Sequence, residues 1–143
     1  MVKFTKDFFK DKEILFLGVS QRYKMYCDMA YNDLTKKNVN VIPVGDTDTG
    51  LSFNVFKDIE SIPKMPKTAY TIMDTEDNKK ILGKLKEKGV ERILFHSKNI
   101  YDEELLKTCE SSGFEVSVAC PLMAYGGGFH RFHGFLKGIK KAY

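Results

Sequence analysis

No run of apolar residues in this chain of 143 approaches the roughly 18 that a membrane-spanning helix needs. The opening residues, Met1-Val2-Lys3-Phe4-Thr5-Lys6-Asp7, lack the apolar core of a secretory signal. Cysteine is scarce. Cys27, Cys109 and Cys120 stand far apart with no C-x-x-C spacing, which argues against a disulfide framework and against zinc and fits a reducing, cytoplasmic setting. Histidine is equally sparse: His130 and His133 are spaced to share a helix face, but no Asp, Glu or Cys nearby completes a ligand set, so no metal is expected. The domain body also lacks an excess of either charge. The formal +4 comes from Arg131, Lys137, Lys140 and Lys141, within an acid-free segment 129–143, and the remaining residues sum to zero. A diffuse nucleic-acid footprint over the domain is therefore not expected.

What is present is ordinary soluble-protein composition, 43% hydrophobic and 29% charged, in a length that suits a single domain with its own core. The most informative stretch is Ile14-Leu15-Phe16-Leu17-Gly18-Val19-Ser20, a buried-strand pattern that ends on a glycine and a small hydroxyl. Ahead of it, Phe4, Phe8 and Phe9 predict a short helix or arm that packs its rings on the domain. After it, Tyr26, Cys27, Ala30, Tyr31 and Leu34 recur with helical spacing over 24–37, closed by Asn38. The five strands are predicted at 13–19, 39–44, 69–73, 90–95 and 114–119, with helices opened by Thr75 and Asp102 and stopped by Gly89 and Gly113. Pro43 belongs near a strand end or on a sheet edge. The connection over 45–66 is long, rich in Asp, Thr, Ser, Gly and Pro, and reads as a functional loop with one short helix near 57–61.

Strands alternating with helices predict an α/β fold: a three-layer, Rossmann-like domain on a five-stranded parallel sheet of expected order 3-2-1-4-5. Ligands of such sheets sit at the carboxyl ends of the strands around the switch point, here expected between strands 1 and 4. That rule collects Gly18 to Ser20, Val44 to Asp46, Met73 with Asp74, His96 to Lys98, and Cys120 with Pro121 on one rim. The turn after the first strand faces a helix N-terminus, whose bare N–H groups attract phosphate.

Those rim segments, in that order, resemble the CoA-binding domain family, small Rossmann-like proteins similar to the N-terminal domain of the succinyl-CoA synthetase α subunit. The resemblance rests on the turn Gly18-Val19-Ser20, on Val41-Ile42-Pro43-Val44 ending the second strand, on Ile62-Pro63 before the third, and on Cys120-Pro121 after the last. It covers roughly residues 12 to 123. The chain departs from the family pattern after the fourth strand, where Phe95-His96-Ser97-Lys98 replaces a Trp-x-Gln-x-Gly stretch, and after the third, with Met73-Asp74-Thr75-Glu76.

The resemblance implies coenzyme A or an acyl-CoA as ligand. Gly18 then admits the diphosphate and Ser20 hydrogen-bonds it, with the backbone of Val19 between them. Arg22 and Lys24 neutralise phosphate, or are merely solvated charges. Val44 and Met73 wall the adenine, and Asp46 and Asp74 lie on the same rim. NAD(P) fits less well, because Gly18 stands alone where G-x-G-x-x-G wants three glycines and Asp46 comes late for a ribose acid. His96, beside Lys98, is either a general base of a nucleotide-dependent enzyme or a ligand contact without chemistry. Cys120 is either a reactive thiol near the CoA sulfur or a core residue. The tail, with Phe132, Phe135, Leu136 and Ile139, packs on the domain or on a second subunit in a homo-oligomer, docks an anionic partner as an interaction module, or is disordered. Acyl-CoA synthetases also need a phosphohistidine domain and an ATP-grasp domain, which 143 residues do not accommodate. The expected role is binding without catalysis.

Overall fold

A computed structural model describes residues 1–122. The basic tail, the cluster Gly126-Gly127-Gly128 and the pair His130 and His133 lie outside the described residues. The chain runs β1 (Glu13–Val19), α1 (Lys24–Lys36), β2 (Asn40–Gly45), β3 (Thr68–Thr71), α2 (Thr75–Glu87), β4 (Arg92–Phe95), α3 (Glu103–Ser111) and β5 (Glu115–Val118). Single 3-10 turns occupy Lys6–Phe9, Ile59–Ser61 and Lys98–Ile100. No helix among the described residues is long and apolar enough to cross a membrane.

The five strands form one parallel sheet between helical layers, a Rossmann-like α/β domain. Side chains alternate along β1. Ile14 and Phe16 enter the core under α1, where Cys27, Ala30 and Leu34 meet Tyr70, Leu94 and the rings of Phe4, Phe8 and Phe9. Leu15 and Leu17 enter the opposite core, under Leu82 and Leu85 of α2 and Leu105 and Cys109 of α3. Because both faces are covered, the strand reads as a continuous apolar run rather than an alternating one.

The strand order is 2-1-3-4-5, not the expected 3-2-1-4-5. β3 pairs with β1 on the side away from β2, so the switch point lies between β1 and β3. Pro43 gives the physical reason. Its carbonyl accepts from the Phe56 N–H at 2.9 Å, on the side of β2 facing away from β1, and its missing N–H lies on that same side. A partner strand there would lose its bond at Pro43, which suits β2 to an edge, and β3 lies elsewhere. Phe56, midway along the long connection, covers that edge instead, through a Val44–Phe56 bridge and a Gly45 N–H bond to the Phe56 carbonyl at 2.9 Å. At the other edge the Val2 N–H reaches the Val116 carbonyl of β5 at 2.7 Å.

Helix starts differ in a way that bears on the site. Asp74, not Thr75, caps α2, accepting from the Asp77 N–H at 2.9 Å. Asp102 caps α3, accepting from the Leu105 N–H at 2.8 Å, and both first turns carry further acids. The start of α1 has neither a side-chain cap nor an acid in its first turn.

Candidate functional site

At the carboxyl ends of β1, β2 and β3 the sheet opens into a cleft of about 580 Å³, within the range of small-molecule sites. Its floor is Leu17, Gly18, Val44 and Gly45. Its near wall is Ser20, Arg22 and Tyr23 at the start of α1, and its far wall is Met73, Asp74 and the α2 residues Asp77, Lys80, Ile81 and Lys84. The β2–β3 connection folds back to close the remaining side with Lys57, Asp58, Ile59 and Glu60. An ion pair between Lys84 and Glu60, at 3.0 Å, ties that connection to α2. It holds the Lys84 ammonium pKa up and the Glu60 carboxyl pKa down.

The backbone at Gly18 and Gly45 is fixed by packing. Gly18 has φ +102°, and a Cβ there would lie 2.9 Å from Ile72 Cγ1 and 3.0 Å from the Met73 nitrogen. The glycine thus lets the ends of β1 and β3 come together, and in doing so leaves the turn open toward the cleft. At Gly45 a Cβ would lie 2.0 Å from the Val19 carbonyl oxygen, where the β1–β2 register shifts.

Eight of the residues expected to bind the ligand line this cleft: Gly18, Val19, Ser20, Arg22, Val44, Asp46, Met73 and Asp74. Asp74 does so as the α2 cap. Ser20 supports the α1 entry, its hydroxyl accepting from the Tyr23 N–H at 3.4 Å. Arg22 lays its guanidinium over the Tyr23 ring at 5.2 Å. The others fall outside the lining. Lys24 extends its ammonium toward Gly50 in the β2–β3 connection, and Lys98 begins an exposed 3-10 turn of which only Ile100 reaches the cleft.

His96, Cys120 and Pro121 lie away from it because successive strand residues face opposite ways. Thr71 points into the α2 side, its hydroxyl on the Asn78 side-chain oxygen at 2.6 Å. Tyr70 points into the α1 side and meets His96 Nδ1 at 2.6 Å. The Tyr70 hydroxyl also meets the Tyr26 hydroxyl at 2.6 Å, and Tyr26 meets Cys120 Sγ at 3.1 Å. Pro121 is buried beside this group. Burial lowers the His96 imidazole pKa and raises those of both phenols. Among the described residues no metal-ligating cluster forms.

Lys57, Lys80 and Lys84 are the cations of the cleft that the sequence reading missed. Lys80 and Lys84 are four apart on α2 and so share the face that looks into the site, a spacing visible in the sequence once α2 is placed beside β1. Placing it there required the strand order.

A family model described as CoA binding domain matches residues 12–126. The fold recurs in solved structures. One is a protein redesigned for binding, 16% identical, with TM-score 0.70 over 93% of this chain and 89% of that one. A hypothetical protein from Pyrococcus horikoshii OT3 is 17% identical, with TM-score 0.66 over 94% of each chain. A Thermus thermophilus protein is 14% identical, with TM-score 0.70 over 84% of this chain and 92% of that one. Identities this low carry the fold alone. Among curated proteins no match was found.

Proposed function

The chain belongs to the CoA binding domain family, and on that footing we propose that it binds coenzyme A or an acyl-CoA in the switch-point cleft, as a binding protein with no reaction of its own. The observation that carries this reading is the start of α1. Its first-turn N–H groups lack a side-chain cap, no acid stands in that turn, and Arg22 lies beside it making no ion pair among the described residues. A diphosphate is the chemistry such an end recognises. The capped, acidic start of α2 on the opposite wall disfavours an anion there and so orients the ligand.

With the diphosphate at α1, Val44 and Met73 supply apolar surface for adenine, and Asp46 is placed for ribose hydroxyls. Past the acidic start of α2, Lys80 and, from the β2–β3 connection, Lys57 add cations for a further phosphate, while Lys84 is held by Glu60. The described lining residues include no histidine or cysteine, and His96 is engaged with Tyr70 on the other face of the sheet. Both facts favour binding over acid–base catalysis. Asp46 on the cleft edge is the one feature that favours a dinucleotide instead.

Calorimetric titration with CoA, dephospho-CoA, NAD, NADP and ATP tests the reading. CoA is expected to bind, more weakly without its 3′-phosphate, and Arg22→Ala is expected to weaken it about tenfold or more, the effect of one charge-assisted hydrogen bond. Binding of a dinucleotide with none of CoA would replace this reading by the redox one. Absence of all binding would reject both.

A further inference from the structure

The group Cys120, Tyr26, Tyr70 and His96 has no part in the cleft, and its hydrogen bonds form one continuous line whose direction follows the His96 tautomer. The contacts run Cys120 Sγ to Tyr26 Oη at 3.1 Å, Tyr26 Oη to Tyr70 Oη at 2.6 Å, and Tyr70 Oη to His96 Nδ1 at 2.6 Å. Each phenol owns a single proton, so each can donate to only one neighbour and must accept from the other. An imidazole protonated on Nδ1 sends every link from His96 toward Cys120; one protonated on Nε2 reverses them, so that the thiol donates to Tyr26, Tyr26 to Tyr70, and Tyr70 to His96 Nδ1. Shifting each proton by one link leaves a thiolate at Cys120 and an imidazolium at His96, with both tyrosines still neutral. Burial raises the pKa of both phenols, so they pass a proton on without holding charge. The middle of this chain is sealed, Tyr70 being 0% exposed, while Cys120 and His96 at its ends are only half-buried. The nearby Cys27 is buried, and burial raises its pKa as well, so it stays a thiol.

We propose that Cys120 is a thiol–disulfide exchange site, with Tyr26 and Tyr70 conducting its proton to His96, and that small-molecule disulfides modify it. In the step, the Cys120 S–H proton moves into the chain as His96 Nδ1 gains one. The thiolate then attacks one sulfur of R–S–S–R. That S–S bond breaks, the Cys120–S–S–R bond forms, and the departing R–S⁻ takes up the proton that His96 gives back, leaving as R–SH. Cys120 is oxidised and half of the disulfide is reduced, so no other oxidant enters. This inference is independent of which nucleotide the cleft holds.

The test is incubation of the whole chain with cystamine near neutral pH, with the mixed disulfide quantified peptide by peptide. Modification is expected at Cys120 and not at the fully buried Cys27 and Cys109. Tyr70→Phe, Tyr26→Phe and His96→Gln are each expected to slow Cys120 by about a hundredfold or more, the lower range of a lost general base. A network that merely satisfied buried polar groups would change stability in these variants and leave the Cys120 rate alone. Equal rates in the variants that retain the native circular dichroism spectrum, or no mixed disulfide at Cys120 in the wild type, would overturn the proposal. Three variants are used so that a single failure to fold leaves the others to decide.

Discussion

A methyl group added at Gly45 would sit 2.0 Å from the Val19 carbonyl oxygen, a backbone atom that cannot move without parting β1 from β2. Gly45→Ala is therefore expected to destabilise the fold by about 3 kcal/mol, lowering the melting temperature by roughly 10 °C in a domain this size. Calorimetric melting measures it. His96 gives a pH signature at the same scale. Burial lowers its folded-state pKa below the ordinary 6.5, so the unfolded chain binds the proton first as the pH falls. Its contribution to stability is present above 6.5 and is lost as the pH drops from there toward the folded value. Denaturant unfolding at a series of pH values is expected to show this fall in the wild type, and His96→Gln is expected to flatten it. Individual residues were only partly legible in the sequence. Gly18 announced a special backbone, but its packing against Ile72 and Met73 comes from β3, which a local reading cannot place. His96 and Cys120 were rightly set at strand ends, yet which face they take depends on the pleat and on Tyr70.

Among the elements, helix ends are where sequence and structure agree best, because caps act within a few residues. Asp102 accepts from the Leu105 N–H and also meets Lys79 at 2.8 Å, which holds its carboxyl pKa below the ordinary 3.8. Asp102→Ala is expected to cost about 1 kcal/mol through the cap, read by urea unfolding at neutral pH. A depressed carboxyl contributes stability above its unfolded pKa, so the variant's deficit is expected to shrink as the pH falls below 3.8. Strands β1 and β2 and all three helices were legible to within a residue or so at most ends, since burial on both faces and strong stop signals mark them. Strand order was not. The crossover after β2 carries a 3-10 turn and no helix, so nothing local says which side β3 joins. Pro43 held that information: a residue suited to an edge is inconsistent with an order that puts its strand between two others.

At the scale of the molecule, the corrected order moves the switch point to β1 and β3 and divides the expected rim in two. The part with Gly18, Val44 and Met73 became the cleft, and the part with His96 and Cys120 became a hydrogen-bonded group on the opposite face. The remainder of the cleft, Lys57 to Glu60 and the Lys80–Lys84 face, arrives from segments remote in sequence and held together by the Lys84–Glu60 pair. Lys84→Ala is expected to loosen the β2–β3 connection, raising amide exchange near Glu60 while leaving β1 and β4 protected, as hydrogen exchange would report.

The coverage of both sheet margins has a further consequence. Phe56 occupies part of the outer side of β2, Pro43 offers no donor there, and Val2 holds the Val116 carbonyl of β5. Neither margin presents the uninterrupted row of donors and acceptors that templates the addition of a foreign strand. Among the described residues these interruptions disfavour the edge-to-edge polymerisation to which open sheets are prone.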